Sequence, residues 1–433
     1  MQRHESYKPS GVKWLGAVPS HWEILALRAV TQLKSDRNRP DLPVLSVYRE
    51  YGVIRKDSRD DNHNATSLDT STYKVVQPGD LVVNKMKAWQ GSMGVSAHEG
   101  IVSPAYITCS TKSERVLPGY LHYLVRSSSL IGVYNSLSYG VRVGQWDMHY
   151  EDFKQIPIPI PPTKEQDRIV TFLDQKTTEI DAAIAQKESL IGLLQEQRSI
   201  EINQAVTLGV NQNTSIKRSN VEWIDELPSH WEIVPLKHVS TVQSGVTLGK
   251  NYAQSRSTRL FPYLRVANVQ DGYIDLSEVS EIKLPIREAR NYLLQSGDIL
   301  VTEGGDIDKL GRGNCWYGQI EECLHQNHVF AIRILKKVRA EYVALITGVS
   351  YARRYFTTTA NKTTNLASTN KTKLGNLPLL VPPIEEQDAI LKHCWQVKSQ
   401  FEDLISSAKK EIAALKEMRD VLIAESVTGK IKV

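Results

Sequence analysis

Few residues of this 433-residue chain have the types and spacing of catalytic chemistry. Gly245-Val-Thr-Leu-Gly249-Lys250-Asn251 has the glycines and lysine of a phosphate loop. Its spacing is one residue short, however, and Asn stands where Ser or Thr would be needed. Gly304-Gly305 and Gly311-x-Gly313 lack the strand–turn–helix setting of a dinucleotide fingerprint and read as turns. There is no GxSxG, no HExxH and no kinase set. The (Asp/Asn/Ser)-Pro-Pro-(Tyr/Phe) signature with which amino-methyltransferases hold a flipped adenine is absent as well. The double prolines are Ile160-Pro161-Pro162-Thr163 and Val381-Pro382-Pro383-Ile384, both of which open helices instead. Cys315, Cys323, His325 and His328 have no CxxC among them, so they read as structural thiols and surface histidines, and no metal site is expected.

What the chain does offer is hydrogen-bond donors and stacking groups. Lys85, Lys87, Trp89 and Gln90 follow a strand, and Arg142 and Gln145 lie with Trp146 in a Gly-rich loop, Tyr139–Trp146. Further on, Arg256 and Arg259 flank a Ser/Thr loop, and Lys309 and Arg312 flank another. Arg353 and Arg354 end a helix, and Asn361, Lys362, Asn365 and Lys371 crowd a polar loop. Arg and Lys donate to guanine edges, Asn and Gln pair bidentately with adenine, and all of them can grip phosphate. For any one of these residues a solvated surface role is the simpler reading; the set together points to nucleic acid.

The elements that carry these groups come in two bodies. The first has short strands at Leu42–Tyr48, Tyr73–Val76, Asp80–Asn84, Gly100–Ser103 and Ala105–Cys109, then a helix from Tyr120 to about Leu130. The second has strands at Tyr263–Val266, Asp298–Thr302 and Val329–Leu335, then a helix from Ala340 to about Phe356. QPGDLVV (Gln77–Val83) and QSGDILV (Gln295–Val301) are each a turn feeding a strand. The expected class is α+β with mostly antiparallel sheet.

Both bodies sit inside a unit written twice. Val12–Thr31 (VKWLGAVPSHWEILALRAVT) returns as Val221–Ser240 (VEWIDELPSHWEIVPLKHVS), with Pro-Ser-His-Trp-Glu-Ile shared. IPIPIPPTKEQDRIV from Ile156 returns as LPLLVPPIEEQDAIL from Leu377. Trp14, Trp22, Trp223 and Trp231 are duplicated with this scaffold, which makes them packing anchors, and His21 and His230 structural hydrogen-bonders. After each Pro-Pro a long helix is expected. Thr163 and Gln166 have capping-box spacing, whereas the second copy has Ile384 in the cap position and leans on Pro383. A heptad stripe runs through Ile390, Cys394, Val397, Phe401, Leu404, Ala408, Glu411, Leu415, Met418 and Leu422. The same register in the first helix gives Ile169, Leu173, Lys176, Ile180, Ala183, Lys187, Leu190, Leu194 and Gln197. Two such helices most simply pack on each other in antiparallel fashion, the alternative being that each folds onto its own body. About 43 helical residues span roughly 65 Å, an upper bound near 19 base pairs of duplex.

Length implies at least two domains, and 41% hydrophobic with 23% charged residues describes a globular chain. No run approaches the roughly 18 apolar residues of a membrane span, and MQRHESYKPS has no signal-like apolar core. Four cysteines without a framework suit a reducing cytoplasm. The net charge of +5 is uneven: residues 24–155 carry +3, residues 233–376 carry +7, and the remainder carries −5. Positive charge thus collects in the bodies, where a phosphate-facing surface would be.

The twice-present W…PSHWE, the twice-present P-x-PP-x-x-EQ (Pro159–Gln166, and Leu380–Gln387 with Leu for the first Pro), the long helix after each, and the polar loop Asn361–Lys373 together resemble the specificity subunits of type I restriction–modification systems. The resemblance spans essentially the whole chain. It implies two globular target recognition domains separated by two long antiparallel coiled-coil helices, in a pseudo-twofold, circular arrangement. The expected division is residues 1–156 (motif and first recognition domain), 157–208 (first long helix), 209–377 (repeated motif and second recognition domain) and 378–433 (second long helix). It further implies a non-catalytic subunit of a phage-defence complex. Each domain would read half of a bipartite, asymmetric double-stranded DNA site. The helices would set the spacer and dock two methyltransferase subunits, to which restriction/motor subunits add. S-adenosylmethionine, ATP and magnesium would serve those partners. From the residues alone, a non-DNA coiled-coil adaptor with two protein-binding heads stays open, as does an enzyme such as a fused methylase–nuclease.

Overall fold

In the computed structural model all residues are described except Met1, 59–65, 68, 113, 141–145, 212, 248, 250–256, 271, 306, 308–309, 312 and 363–366. The chain divides into two compact units. The first is Met1–Ser189 with Ala408–Val433, and the second is Leu190–Ser407. Each therefore holds one body, the start of one long helix and the end of the other.

The units repeat one another in their central elements. In the first, the strand after PSHW, Glu23–Ala26, pairs antiparallel with Pro157–Ile160, so the duplicated motifs at either end of the body are neighbours. In the second, Glu232–Pro235 pairs with Pro378–Val381, with Glu232 opposite Val381 as Glu23 is opposite Ile160. The central sheet of the first unit has the order Thr31–Lys34, Ile107–Thr111, Leu81–Val83, Met93–Val95. That of the second has Ser240–Ser244, Val329–Ile334, Ile299–Thr302, Gly313–Cys315. All of these pairings are antiparallel. The α+β class read from the sequence holds.

The two Gln-x-Gly-Asp turns feed the sheets by one device. Gly79 and Gly297 take φ +92, a value that favours glycine. Asp80 and Asp298, both buried, accept the N–H of Gln77 and Gln295 at 2.8 Å. Their remaining charge is met by Lys34 at 2.8 Å and by a two-bonded Arg333 at 2.7 Å.

The duplicated motifs meet at a joint. Glu165 accepts from the Trp22 indole Nε1 at 3.1 Å and lies 2.8 Å from His21 Nε2; Glu386 accepts from Trp231 Nε1 at 2.9 Å and lies 2.6 Å from His230 Nε2. Trp22 and Trp231 are almost fully buried, as anchors should be. The neighbouring glutamines overturn the expected capping box. Gln166 does not reach back to Thr163: it is fully buried, accepts the Leu117 N–H at 2.7 Å and donates to the carbonyls of Arg115 and Pro161. Gln387 does the same with Arg339, Lys337 and Pro382. The helix starts are closed by Pro162 and Pro383, whose carbonyls accept the next free N–H groups, so Thr163 and Ile384 serve equally well.

The long helices are Thr163–Leu208 and Ile384–Val427, about 69 and 66 Å by rise. Each ends in a left-handed glycine against a motif tryptophan of the unit in which it finishes. A β-carbon at Gly209 would stand 3.3 Å from Trp231, and one at Gly429 would collide with Pro19 and press on Trp22. Within the first unit the two helices run antiparallel, with Asp181 bonded to Arg419 and Lys187 to Glu411 at 2.6 Å each. The heptad stripe is corrected here. After Phe401 the buried positions are Ile405, Ala408, Ile412 and Leu422, while Leu404, Glu411 and Met418 are exposed. In the first helix Ile184 is buried, and Leu190 and Gln197 are exposed. A straight helix drifts about 20° per heptad from a 3.5 repeat, so over about five heptads the buried face moves by the roughly 100° of one residue.

Two further expectations change. The single helix of each body is a pair, Pro118–Arg126 with Ser128–Leu137, and Ala340–Gly348 with Ser350–Thr359. Ser127 (ψ 142) and Val349 (ψ 159) are extended and turn the chain between them. The strand expected at Tyr263–Val266 lies earlier, at Thr258–Leu264, because its partners are Ser280–Pro285 and Leu324–His325.

Candidate nucleic-acid interface

After its helix pair each unit forms a short hairpin, then a short helix, the strand of the motif and the long helix. In the first unit the hairpin strands are Ser138–Tyr139 and Asp147–Met148; in the second they are Asn361–Lys362 and Ala367–Ser368, joined by Gly304–Gly305 as a third strand. The hairpins stand at one place in the repeat and share almost no residues, which is how one scaffold presents different surfaces.

In the first unit Lys85–Gln90 form a 3-10 helix ended by Gly91 at φ +85. Lys85 is half-buried and its ammonium lies 2.8 Å from Asp147 on the hairpin, so it holds the hairpin to the turn. Trp89 packs against Trp146 with ring centroids 5.4 Å apart, and its buried indole Nε1 has no partner among the described residues. Lys87 and Met86 are exposed and Gln90 is half-buried. Tyr139 stacks on His149 at 4.9 Å across the hairpin and keeps most of its ring in solvent. Tyr139, His149 and Asp147 were missed as site residues; the tyrosine opening the Gly-rich loop was the available signal. Arg142 and Gln145 lie outside the described residues.

In the second unit Asn361 and Lys362 are exposed on the hairpin rather than in a loop, and Asn361 Oδ1 accepts from Lys373 at 2.6 Å. Lys371 is exposed at the start of the short helix Lys371–Gly375, which Asn370 caps. Arg353 and Arg354 do not end a helix, since the break at Val349 puts them in the first turns of Ser350–Thr359. Arg353 is spent on the Leu310 carbonyl at 3.0 Å, whereas Arg354 is exposed. Arg259 sits on another sheet, stacked 4.4 Å over Phe261 and paired with Glu322. Arg256, Lys309, Arg312 and Asn365 lie outside the described residues.

Nucleophilic chemistry finds no support in the thiols. Burial pushes Cys109, Cys315 and Cys323 up to about 12 and Cys394 to about 11, so all four are protonated at neutral pH. His325 is buried with its ring 2.6 Å from the Val329 carbonyl, and His328 pairs with Glu303. Among the described residues no helix is long and apolar enough to cross a membrane. The arrangement supplies Lys87 and the Tyr139 ring beside the first hairpin and Asn361, Lys362 and Lys371 beside the second, groups that can bind a polyanion.

Comparison with known proteins agrees with this geometry. The model of the type I restriction modification DNA specificity domain matches twice, over residues 19–190 and 228–417. The type I restriction enzyme EcoKI specificity subunit of Escherichia coli (strain K12) is 22% identical over 366 residues, 82% of this chain and 75% of that one. A chain solved in work on complex assembly and conformational transition of the type I R-M system has a TM-score of 0.70 at 16% identity, covering 96% of this chain and 99% of that one. The HsdS subunit from Thermoanaerobacter tengcongensis has a TM-score of 0.54 at 15% identity, covering 96% and 98%. With both copies of its repeat matched, the chain belongs to the type I restriction modification DNA specificity family.

Proposed function

We propose that this chain is the DNA-reading subunit of a type I restriction–modification complex, each unit reading one half of a bipartite site. The observation that carries the proposal is the pair of hairpins: equivalent in position, different in residues, and set in bodies of net charge +3 and +7. Phosphate contacts from these bodies give sequence-independent, salt-dependent affinity, and base-edge contacts from the hairpins and adjoining turns add selectivity. A good bidentate pair is worth ~1–3 kcal/mol of discrimination, so several are needed in each unit.

In this reading the chain performs no chemistry. The two long helices set the gap between half-sites and dock two methyltransferase subunits, and restriction/motor subunits join through the complex. S-adenosylmethionine, ATP and magnesium belong to those partners. Family membership favours this reading over the adaptor.

The test is genome-wide detection of N6-methyladenine in cells carrying this gene with and without its methyltransferase partner. A bipartite motif is expected only when both are present. A continuous motif, or methylation indifferent to loss of this chain, overturns the two-reader proposal.

A further inference from the structure

Three groups converge at the joint of the first unit that its repeat does not bring together in the second. His4, His21 and Glu165 each direct one ligand-type atom to a common point, all within 4.8 Å of one another. His21 Nε2 lies 2.8 Å from Glu165 Oε2, and His4 Nε2 lies 3.7 Å from Oε1. The His4 side chain is only 6% exposed, yet its Nε2 has no hydrogen-bond partner, which is costly for a buried polar atom. The unpartnered Nε2 faces the carboxylate, which is where a metal-binding imidazole would present its lone pair. The Trp22 indole holds Glu165 Oε1 from the other side at 3.1 Å. The His21 side chain, half exposed, leaves a way in.

We propose that His4, His21 and Glu165 bind one zinc ion, with an open fourth position towards solvent. Two imidazoles and a carboxylate suit zinc at ~2.0–2.2 Å from each donor, which places donors about 3.4 Å apart. The present set reaches that with a shift of about 1 Å or less on average. The ion ties the N-terminal segment, through His4, to the start of the first long helix, through Glu165. The same segment already pairs Gln2 with Lys432, next to the end of the second long helix. The site is thus a clasp.

The second unit is an internal control. Tyr7 opposite Pro19 and Ile216 opposite Pro228 fix the equivalence, which puts Asn213 at the place of His4. His230 and Glu386 still pair, but the third ligand is missing and Asn213 is exposed. The sequence concealed the site because its three ligands lie 17 and 144 residues apart.

The experiment is zinc content of the untagged full-length chain by mass spectrometry after equilibration with zinc and passage into metal-free buffer. Cobalt(II) absorption serves as a second reading of the ligand set. One equivalent is expected for the natural chain, none for His4→Gln, and one for His230→Gln. A natural chain that retains no zinc, or a His4→Gln chain that retains its equivalent, overturns the proposal. Should His4→Gln not fold, Asn213→His carries the test, since two equivalents are expected and a count that stays at one overturns it.

Discussion

Glu165 and Glu386 each satisfy a buried indole and a histidine, and Gln166 and Gln387 each close three backbone groups. The paired EQ was plain in the sequence, but apart from Pro161 and Pro382 its partners stand 48 to 156 residues away, beyond any spacing rule. Gln166→Leu leaves the Leu117 N–H and two carbonyls unpaired and should destabilise by about 1–3 kcal/mol, read as a shift in the denaturant midpoint. Lys85 shows the same limit of legibility: it was read as a DNA contact, and nothing near it announced Asp147. Lys362 and Lys371 are exposed, so Lys362→Ala should weaken DNA binding about equally for all sequences and lower the salt slope by about 1. An unchanged slope in a salt titration would remove Lys362 from the interface. His122 is held neutral by burial and by Arg126, its pKa pushed down to about 4. Its folded value lies below the unfolded 6.5, so its contribution is full above pH 6.5 and lost as pH falls towards 4. Denaturation of the chain across that window should show a loss of no more than about 3 kcal/mol that His122→Gln largely abolishes.

At the scale of elements, the helices were legible in place and length because Pro-Pro opens each one and no proline interrupts it. Their buried face was not. Heptad counting follows a period of 3.5, and these helices keep closer to 3.6. Two of the three charged interruptions of the stripe, Lys187 and Glu411, turn out to be partners, and the third, Lys176, pairs with Glu179 on its own helix. Ile405 is 7% exposed and Leu404 46%, so Ile405→Ala should cost about 2–4 kcal/mol and Leu404→Ala under about 1 in equilibrium unfolding. Equal costs would restore the heptad register. Neither Pro nor Gly marks the break at Ser127, and only Gly348, the last residue of its helix, marks the one at Val349; the extended conformation of each is set by the fold of one short helix onto the next.

For the molecule as a whole, duplication was the most legible feature, and the equivalence of the two hairpins followed only from strand order. The first compact unit is completed by chain from beyond the second: residues 408–433 belong with Met1–Ser189. A ribosome delivers those parts more than two hundred residues apart. The second unit, Leu190–Ser407, can close while the chain is still being made, but the first must wait, its Trp22 uncovered, until Gly429 emerges. The unit made first therefore matures last. A chain ended at Ser407 should keep the protease resistance of residues 190–407 and lose that of residues 1–189, as limited proteolysis would reveal; equal resistance of both would show that the late segment is dispensable. Fold completion here waits on a late segment, and an interrupted chain reveals itself in the unit that was made first.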